Sequence, residues 1–336
     1  MKFVGIDLHK KSISLCVMDE SRRVVSRARL DCRWTDRIHE FFSKLGPFQA
    51  VVEATASYEW LVVLIEPLAE RIVLAHPKKL RVIAESACKS DKLDAQILAQ
   101  FLALDMIPEA HRPTPRVREH RRLVRHRVYV QRRITSVKNK IRRILSDYNA
   151  DRRSLFTAEG LQYLATVELS AADRFAIEQL LEEWKQHRER LLAVDRRLRE
   201  FAKAAPVAER EARAVLESIP TVGPVTIDVV LSELGDARRF RSQKRAVAYA
   251  GLVPGLRESA GRAKQQGITK EGSKLLRWVL TEAAWRLVGK TRRWGQIYER
   301  LKHRCGPKKA IVAVARRLLC VMLAMLHSGQ RYRLAG

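Results

Sequence analysis

The chain has 336 residues, 46% of them hydrophobic, and carries 65 Lys and Arg against 37 Asp and Glu, a formal net charge of +28. That length supports two or three domains with cores of their own, and so large a basic excess points to a polyanionic partner, chiefly DNA or RNA, over mere solubilising charge. The five cysteines are scattered without a C-x-x-C pair, which excludes a zinc ribbon or disulfide framework, and the longest apolar tail, Leu318–Leu326, is too short to span a bilayer; a soluble, cytoplasmic protein is expected.

Lys2–Asp7 reads as an apolar strand ending in an acid. Ser12–Met18 alternates with Ile13, Leu15 and Val17 on one face, and Val24–Leu30 follows as a third strand. A helix over Trp34–Leu45 stops at Gly46-Pro47. Gln49–Glu53 is another apolar strand ending in an acid, Ser57–Arg71 reads as helical, and Ile72–Ala75 as a buried strand. His76-Pro77 opens a further helix, and Asp91–Leu104 has Leu93, Ile97, Phe101 and Leu104 spaced for one helix face. This order predicts an α/β domain with a mixed sheet, whose acids at strand carboxyl ends lie at the edge where such sheets place ligands.

From Arg112 to Arg143 there are thirteen Arg or Lys and a single acid, Glu119. Apolar residues recur at Leu123, Val130, Ile134, Val137, Ile141, Ile144 and Tyr148, and again at Ile177, Leu180, Trp184, His187, Leu191, Val194, Leu198 and Phe201. Two long amphipathic helices with a coiled-coil seam are expected, pairing within the chain or between chains, with two ordinary bundle helices as the equal alternative. The charge bias of the first favours contact with a nucleic-acid backbone. Val215–Ile219, then Pro220-Thr221-Val222-Gly223-Pro224, then Val225–Leu234 has the form of a helix-hairpin-helix element, or of a plain helical hairpin. Arg257–Gly267 is polar and reads as a loop. Gly272-Ser273 opens a helix to about Val288, and Pro307 a last one, with Gly329 past its end.

Asp91 and Asp94 stand at i and i+3 and share a helix face, while Asp7 and Glu53 end strands. Four carboxylates from separate elements can hold two divalent ions about 3.5–4 Å apart against a phosphodiester. Individually, a turn aspartate, a helix N-cap and a strand-end charge would explain them.

Gly5-Ile6-Asp7-Leu8-His9-Lys10, Val52-Glu53-Ala54-Thr55-Ala56-Ser57-Tyr58 and Lys89-Ser90-Asp91-Lys92-Leu93-Asp94-Ala95 resemble the signature of the DEDD-type insertion-sequence transposases, relatives of the pilin-gene inverting recombinase. Leu216–Pro224 and the run from Phe240 through Ala248-Tyr249-Ala250-Gly251-Leu252-Val253-Pro254 resemble the family's C-terminal part, so the likeness covers nearly the whole chain. It implies a RuvC-like (RNase H-like) catalytic domain over residues 1–108, a basic helical coiled-coil region over 109–207, and a mostly helical transposase domain over 208–336. It implies Asp7, Glu53, Asp91 and Asp94 as ligands of Mg²⁺ or Mn²⁺. It further implies Ser259, after the Gly-Leu-x-Pro element, as the nucleophile that forms a covalent 5′-phosphoserine. Donor and target DNA, an element-encoded bridge RNA and a homo-oligomer, a dimer or a dimer of dimers, are the implied partners. A bacterial, nucleoid-associated location is implied with them.

Two departures from the family pattern stand out: Thr221 where relatives often have Gly, and an Ala260–Gly267 stretch richer in Gln and Lys than the usual Ser/Gly-rich form. The rival enzymatic reading is a metal-dependent nuclease or junction resolvase using water in place of Ser259. The non-enzymatic rival is a nucleic-acid-binding repressor or architectural factor.

Overall fold

In a computed structural model the backbone is described for residues 1–55, 57–87, 95–259 and 262–333, and the side chains for all of these except 83–87, 256–259 and 262–266. Asp91 and Asp94 lie outside the described residues. The chain divides into two compact units, Met1–Arg112 and Pro113–Gly336.

The first unit is the expected mixed α/β sheet. Strands β1 (Lys2–Leu8), β2 (Ser12–Met18), β3 (Val24–Asp31), β4 (Phe48–Glu53) and β5 (Arg71–Ala75) lie in the order β3-β2-β1-β4-β5. β1 to β3 are antiparallel, as the short turns between them require, and β4 and β5 run parallel to β1 after helical crossovers. Alternation sorts the strand residues between two faces. Val4, Ile6, Ala50 and Val52 pack with Ile38 and Phe42 of α1 (Thr35–Ser43) and Leu61, Val62 and Ile65 of α2 (Glu59–Ile65). Val51 and Val73 face the other way, onto Leu80 of α3 (Pro77–Ala87) and Leu98 of α4 (Ala95–Ala103). α2 is shorter than the sequence pattern of Ser57–Arg71: Glu66 is its C-cap, and Pro67 has no N–H with which to continue the helical ladder.

The second unit is almost entirely helical. Its two long helices are α5 (Pro115–Asp147) and α7 (Ala171–Lys203), with the short α6 (Ala158–Thr166) between them. Thr114 and Ser170 cap the long helices by accepting N–H bonds from Val117 and Asp173. α5 and α7 pair within the chain and run antiparallel: Arg116 reaches the Phe201 carbonyl, Arg127 meets Asp195 at 2.6 Å, Arg133 meets Glu183 at 3.1 Å, and Tyr148 donates to Asp173 at 2.6 Å. α8 (Val207–Glu217) leads through a turn to α9 (Pro224–Leu234), which is buried on all sides from Thr226 to Leu234. α10 (Gln243–Tyr249), α11 (Lys274–Lys290), α12 (Arg292–Cys305) and α13 (Pro307–Ser328) enclose the same core. α13 is long and apolar enough to cross a membrane by composition, far longer than the nine-residue run read from the sequence. Its Val314, Leu318 and Met322 are fully buried in that core, which accounts for its hydropathy.

The α8–α9 turn contains a strained residue. Thr221 is exposed and has φ = 65°, a left-handed conformation that costs a non-glycine roughly 1–2 kcal/mol and suits a β-branched side chain least. This gives the physical reason for the glycine expected there. Glycine carries an entropic penalty of about 0.5–1 kcal/mol of its own. Thr221→Gly should therefore raise stability by about 0.5–1 kcal/mol, visible in thermal unfolding as an increase of about 1–4 °C. A fall in the midpoint would refute the strain.

The basic bias of α5 has a different explanation from the one its own sequence suggests. Its guanidinium groups pair mainly with carboxylates outside the helix: Arg116 with Glu209, Arg125 with Glu233, Arg127 with Asp195, and Arg142 with Asp151 just past the helix end. Only Arg122, Arg132 and Lys140 stand on the exposed stripe with no carboxylate partner among the described residues. The charge of this helix is therefore largely internal, and the expected backbone-binding face shrinks to a narrow strip.

The polar stretch expected as a loop is a β-hairpin: β6 (Pro254–Ser259) pairs antiparallel with β7 (Arg262–Ile268). Only two residues, Ala260 and Gly261, separate the paired Ser259 and Arg262, a connection length that favours a hairpin. The low apolar content of the stretch hid the strands.

Candidate active site

Asp7 and Glu53 come together on one face of the sheet. β1 and β4 are parallel neighbours whose last registered pair is Ile6 with Val52, so one further step sets Asp7 beside Glu53. Both share the parity of Val51, whose face is covered by α4, and both stand at the carboxyl ends of adjacent central strands. Each is half-buried. His9, in the turn after β1, places Nε2 3.0 Å from Oδ2 of Asp7, which orients the carboxylate.

Gly5 brings a third element to the same place. A Cβ built there would lie 1.9 Å from the Ala95 carbonyl oxygen and 2.5 Å from the Ala99 nitrogen. Only a residue without a side chain lets the first turn of α4 lie directly on β1, two residues before Asp7 and on Asp7's face. Asp94 immediately precedes Ala95 in the chain, and Asp91 is three residues further back. Among the described residues no group of three or more His, Cys, Asp or Glu is arranged to hold a metal ion. The two carboxylates that are described, oxygen donors on neighbouring strands, suit a hard divalent cation.

In the second unit Ser259 is the last residue of β6, at the far end of the hairpin. The hairpin's base is tightly built. Gly251 has φ = 67° and a Cβ there would lie 1.9 Å from the Glu271 carbonyl oxygen; Gly272 has φ = 98° and would meet the Tyr249 carbonyl at 2.0 Å. The Lys270 N–H donates to the Gly251 carbonyl at 3.1 Å, and the Thr269 N–H to that of Val253 at 2.9 Å. Arg277 donates to the carbonyls of Ala250 at 3.0 Å and Gly272 at 3.2 Å, and burial pulls its pKa down. The sequence places Gly251 within the family motif and Gly272 at a helix start, but shows neither their meeting at the base of a hairpin nor the part of Arg277. The glycine pair flanking the polar stretch was the available signal.

Comparison with known proteins agrees with both halves. The model of the IS110-type DEDD transposases matches residues 4–150, and that described as "Transposase IS116/IS110/IS902 family" matches residues 213–299. Among curated proteins, the transposase for insertion sequence element IS1111A of Coxiella burnetii is 24% identical, covering 99% of this chain and 92% of the relative. The transposase for insertion sequence element IS1328 of Yersinia enterocolitica is 25% identical over 84% of this chain and 82% of its own length. The pilin gene-inverting protein of Moraxella bovis is 22% identical over 98% and 97%.

Proposed function

This chain belongs to the IS110/IS116 family of DEDD transposases and is a DNA transposase, and on that footing we propose that it cuts and rejoins DNA through a serine-linked intermediate. Asp7, Glu53, Asp91 and Asp94 form the carboxylate set and Ser259 is the nucleophile. The observation that carries the reading is the pairing of Asp7 and Glu53 on the α4 face, with the chain entering α4 directly from Asp94. The strand order β3-β2-β1-β4-β5, with acids at the ends of its central strands, supports a RuvC-like domain over residues 1–108, followed by a helical middle region and a C-terminal transposase domain from 208.

Bound Mg²⁺ or Mn²⁺ would neutralise the phosphate under attack. His9 fixes the Asp7 carboxylate toward that role. Ser259 Oγ attacks the phosphorus and gives up its proton, the bond to the 3′ oxygen breaks, that oxygen takes up a proton and leaves as a 3′-hydroxyl, and the 5′ phosphate stays on serine. Attack by another 3′-hydroxyl reverses the step, releases the serine and joins the strands, so phosphodiester energy is conserved without a high-energy cofactor. The anchored base of the hairpin supports this role, because a nucleophile must be held within tenths of an ångström. An element-encoded bridge RNA as guide, donor and target DNA as substrates, a dimer or dimer of dimers as the working assembly, and action in the bacterial cytoplasm follow from the same kinship and belong to the proposal.

The test is a DNA substrate incubated with Mg²⁺ and resolved under denaturing conditions. Wild type should yield a protein–DNA adduct, and Ser259→Ala and Asp7→Asn should each reduce it by about 1,000-fold or more. Cleavage that persists without adduct in Ser259→Ala would favour the water-using nuclease instead.

A further inference from the structure

Between α12 and α13 runs a groove of about 910 Å³ with an arginine-rich rim. Its rim carries Arg293 and Arg304 from α12, Arg316 and Arg317 from α13, and Arg331 and Arg333 from the tail. All six are exposed, and no Asp or Glu is among its lining residues. None of the six has a carboxylate partner among the described residues, whereas the arginines of α5 are mostly paired. Clustered like charges repel one another, so a cluster left unpaired is matched by charge from outside.

The floor of the groove is apolar. Ile297 and Leu301 rise from α12, and Ala313, Cys320 and Val321 from α13. The two helices are in direct contact, joined at Gly306 with φ = 80°, and packed helices lie about 8–10 Å apart. The furrow between them admits one extended strand and is too narrow for a duplex, whose major groove alone is about 12 Å wide. From Arg293 to Arg304 the helix rises about 17 Å, long enough to run beside several phosphates of one strand. The tail is fixed across one end: the Trp294 indole donates to the Tyr332 hydroxyl at 2.9 Å, and the Tyr332 N–H donates to the Ser218 hydroxyl at 2.8 Å. Arg331 and Arg333 are thereby held at the groove.

We infer that this groove is a binding site for single-stranded DNA, with phosphates on the arginine rim and unpaired bases over the apolar floor. Charge decides the occupant. Six arginines with no acid among the lining residues call for a polyanion, and an enzyme that moves DNA opens strands that must be held apart from their complements. The site is independent of Ser259 and of the carboxylate set, and it acts as a grip on substrate.

The experiment measures fluorescence anisotropy of labelled oligo(dT) of 20 nucleotides across a salt series. It uses full-length protein in a Ser259→Ala background, so that no covalent capture contributes. Arg316→Gln/Arg317→Gln and, on the opposite rim, Arg293→Gln/Arg304→Gln should each weaken binding about tenfold or more and lower the salt slope by about 1.4. Lys308→Gln/Lys309→Gln, an exposed pair on α13 outside the groove, should retain wild-type affinity. Equal loss in that control, unchanged binding in both rim variants, or equal displacement by polyglutamate of the same charge would overturn the site. Oligo(U) bound ten times more tightly than oligo(dT) would overturn the assignment to DNA.

Discussion

Gly5→Ala should stop recombination with little effect on DNA binding. The new methyl would sit 1.9 Å from the Ala95 carbonyl oxygen and 2.5 Å from the Ala99 nitrogen, both backbone atoms that no rotamer change can move aside. α4 must therefore lift from β1 by more than about 1 Å, and its first residue, Ala95, directly follows Asp94 in the sequence. A displacement of that size at the proposed carboxylate set would cost on the order of 100-fold in rate. Adduct formation and strand exchange should fall at least that far, while gel-shift affinity, set mainly by the basic surface, holds within about threefold. Gly289→Ala is the matched control, because nothing lies within 4 Å of a Cβ at that helical position. Retention of more than a third of wild-type activity in Gly5→Ala would separate α4 from the chemistry.

Asp228→Ala should be the most destabilising single change in the helical unit. Asp228 is 7% exposed and accepts from Arg213 at 2.7 Å, and its carboxylate lies 3.0 Å from His120 Nε2. His120 itself stacks on Phe201, with ring centroids 5.0 Å apart. Removing the carboxylate leaves a guanidinium and an imidazole in a low-dielectric interior, which typically costs 3–5 kcal/mol, or about 6–20 °C of thermal midpoint. Asp228→Ala/Arg213→Met, which removes both partners, should recover at least about half of that loss, because the penalty comes mostly from the uncompensated charge. Calorimetry of the two variants decides the point; a single-variant loss below about 1 kcal/mol would mean that water enters and solvates the site.

How much of this was readable in advance depended on the range of the interaction. Period-two and helical patterns are local, and they placed β1, β2, β4 and both long helices closely. Gly329, with φ = 67°, closes α13 where a C-terminal glycine was expected. The motifs gave Asp7 and Glu53 as strand-end acids, but only the parallel register makes them neighbours. The partners of α5 were invisible because a count of charge within one segment cannot see Asp195, Glu209 or Glu233, which lie far along the chain and meet it only after folding. The hairpin carrying Ser259 was missed for a related reason. Its strands are poor in apolar residues, and its base is held by the interlocked Gly251 and Gly272 and by Leu252, Val253 and Ile268 on the helical core, contacts that a polar stretch does not announce.

The antiparallel α5–α7 pair has a use for the engineer. Each helix has 33 residues, and so extends about 50 Å, held to the core at one end and closed by residues 148–170 at the other. Splicing seven residues into both arms at matched positions would lengthen the stalk by about 10 Å while nearly preserving the phase of its apolar seam. Graded stalk lengths would then serve as molecular callipers, converting a change in reach into a measurable change in the spacing of whatever the tip engages.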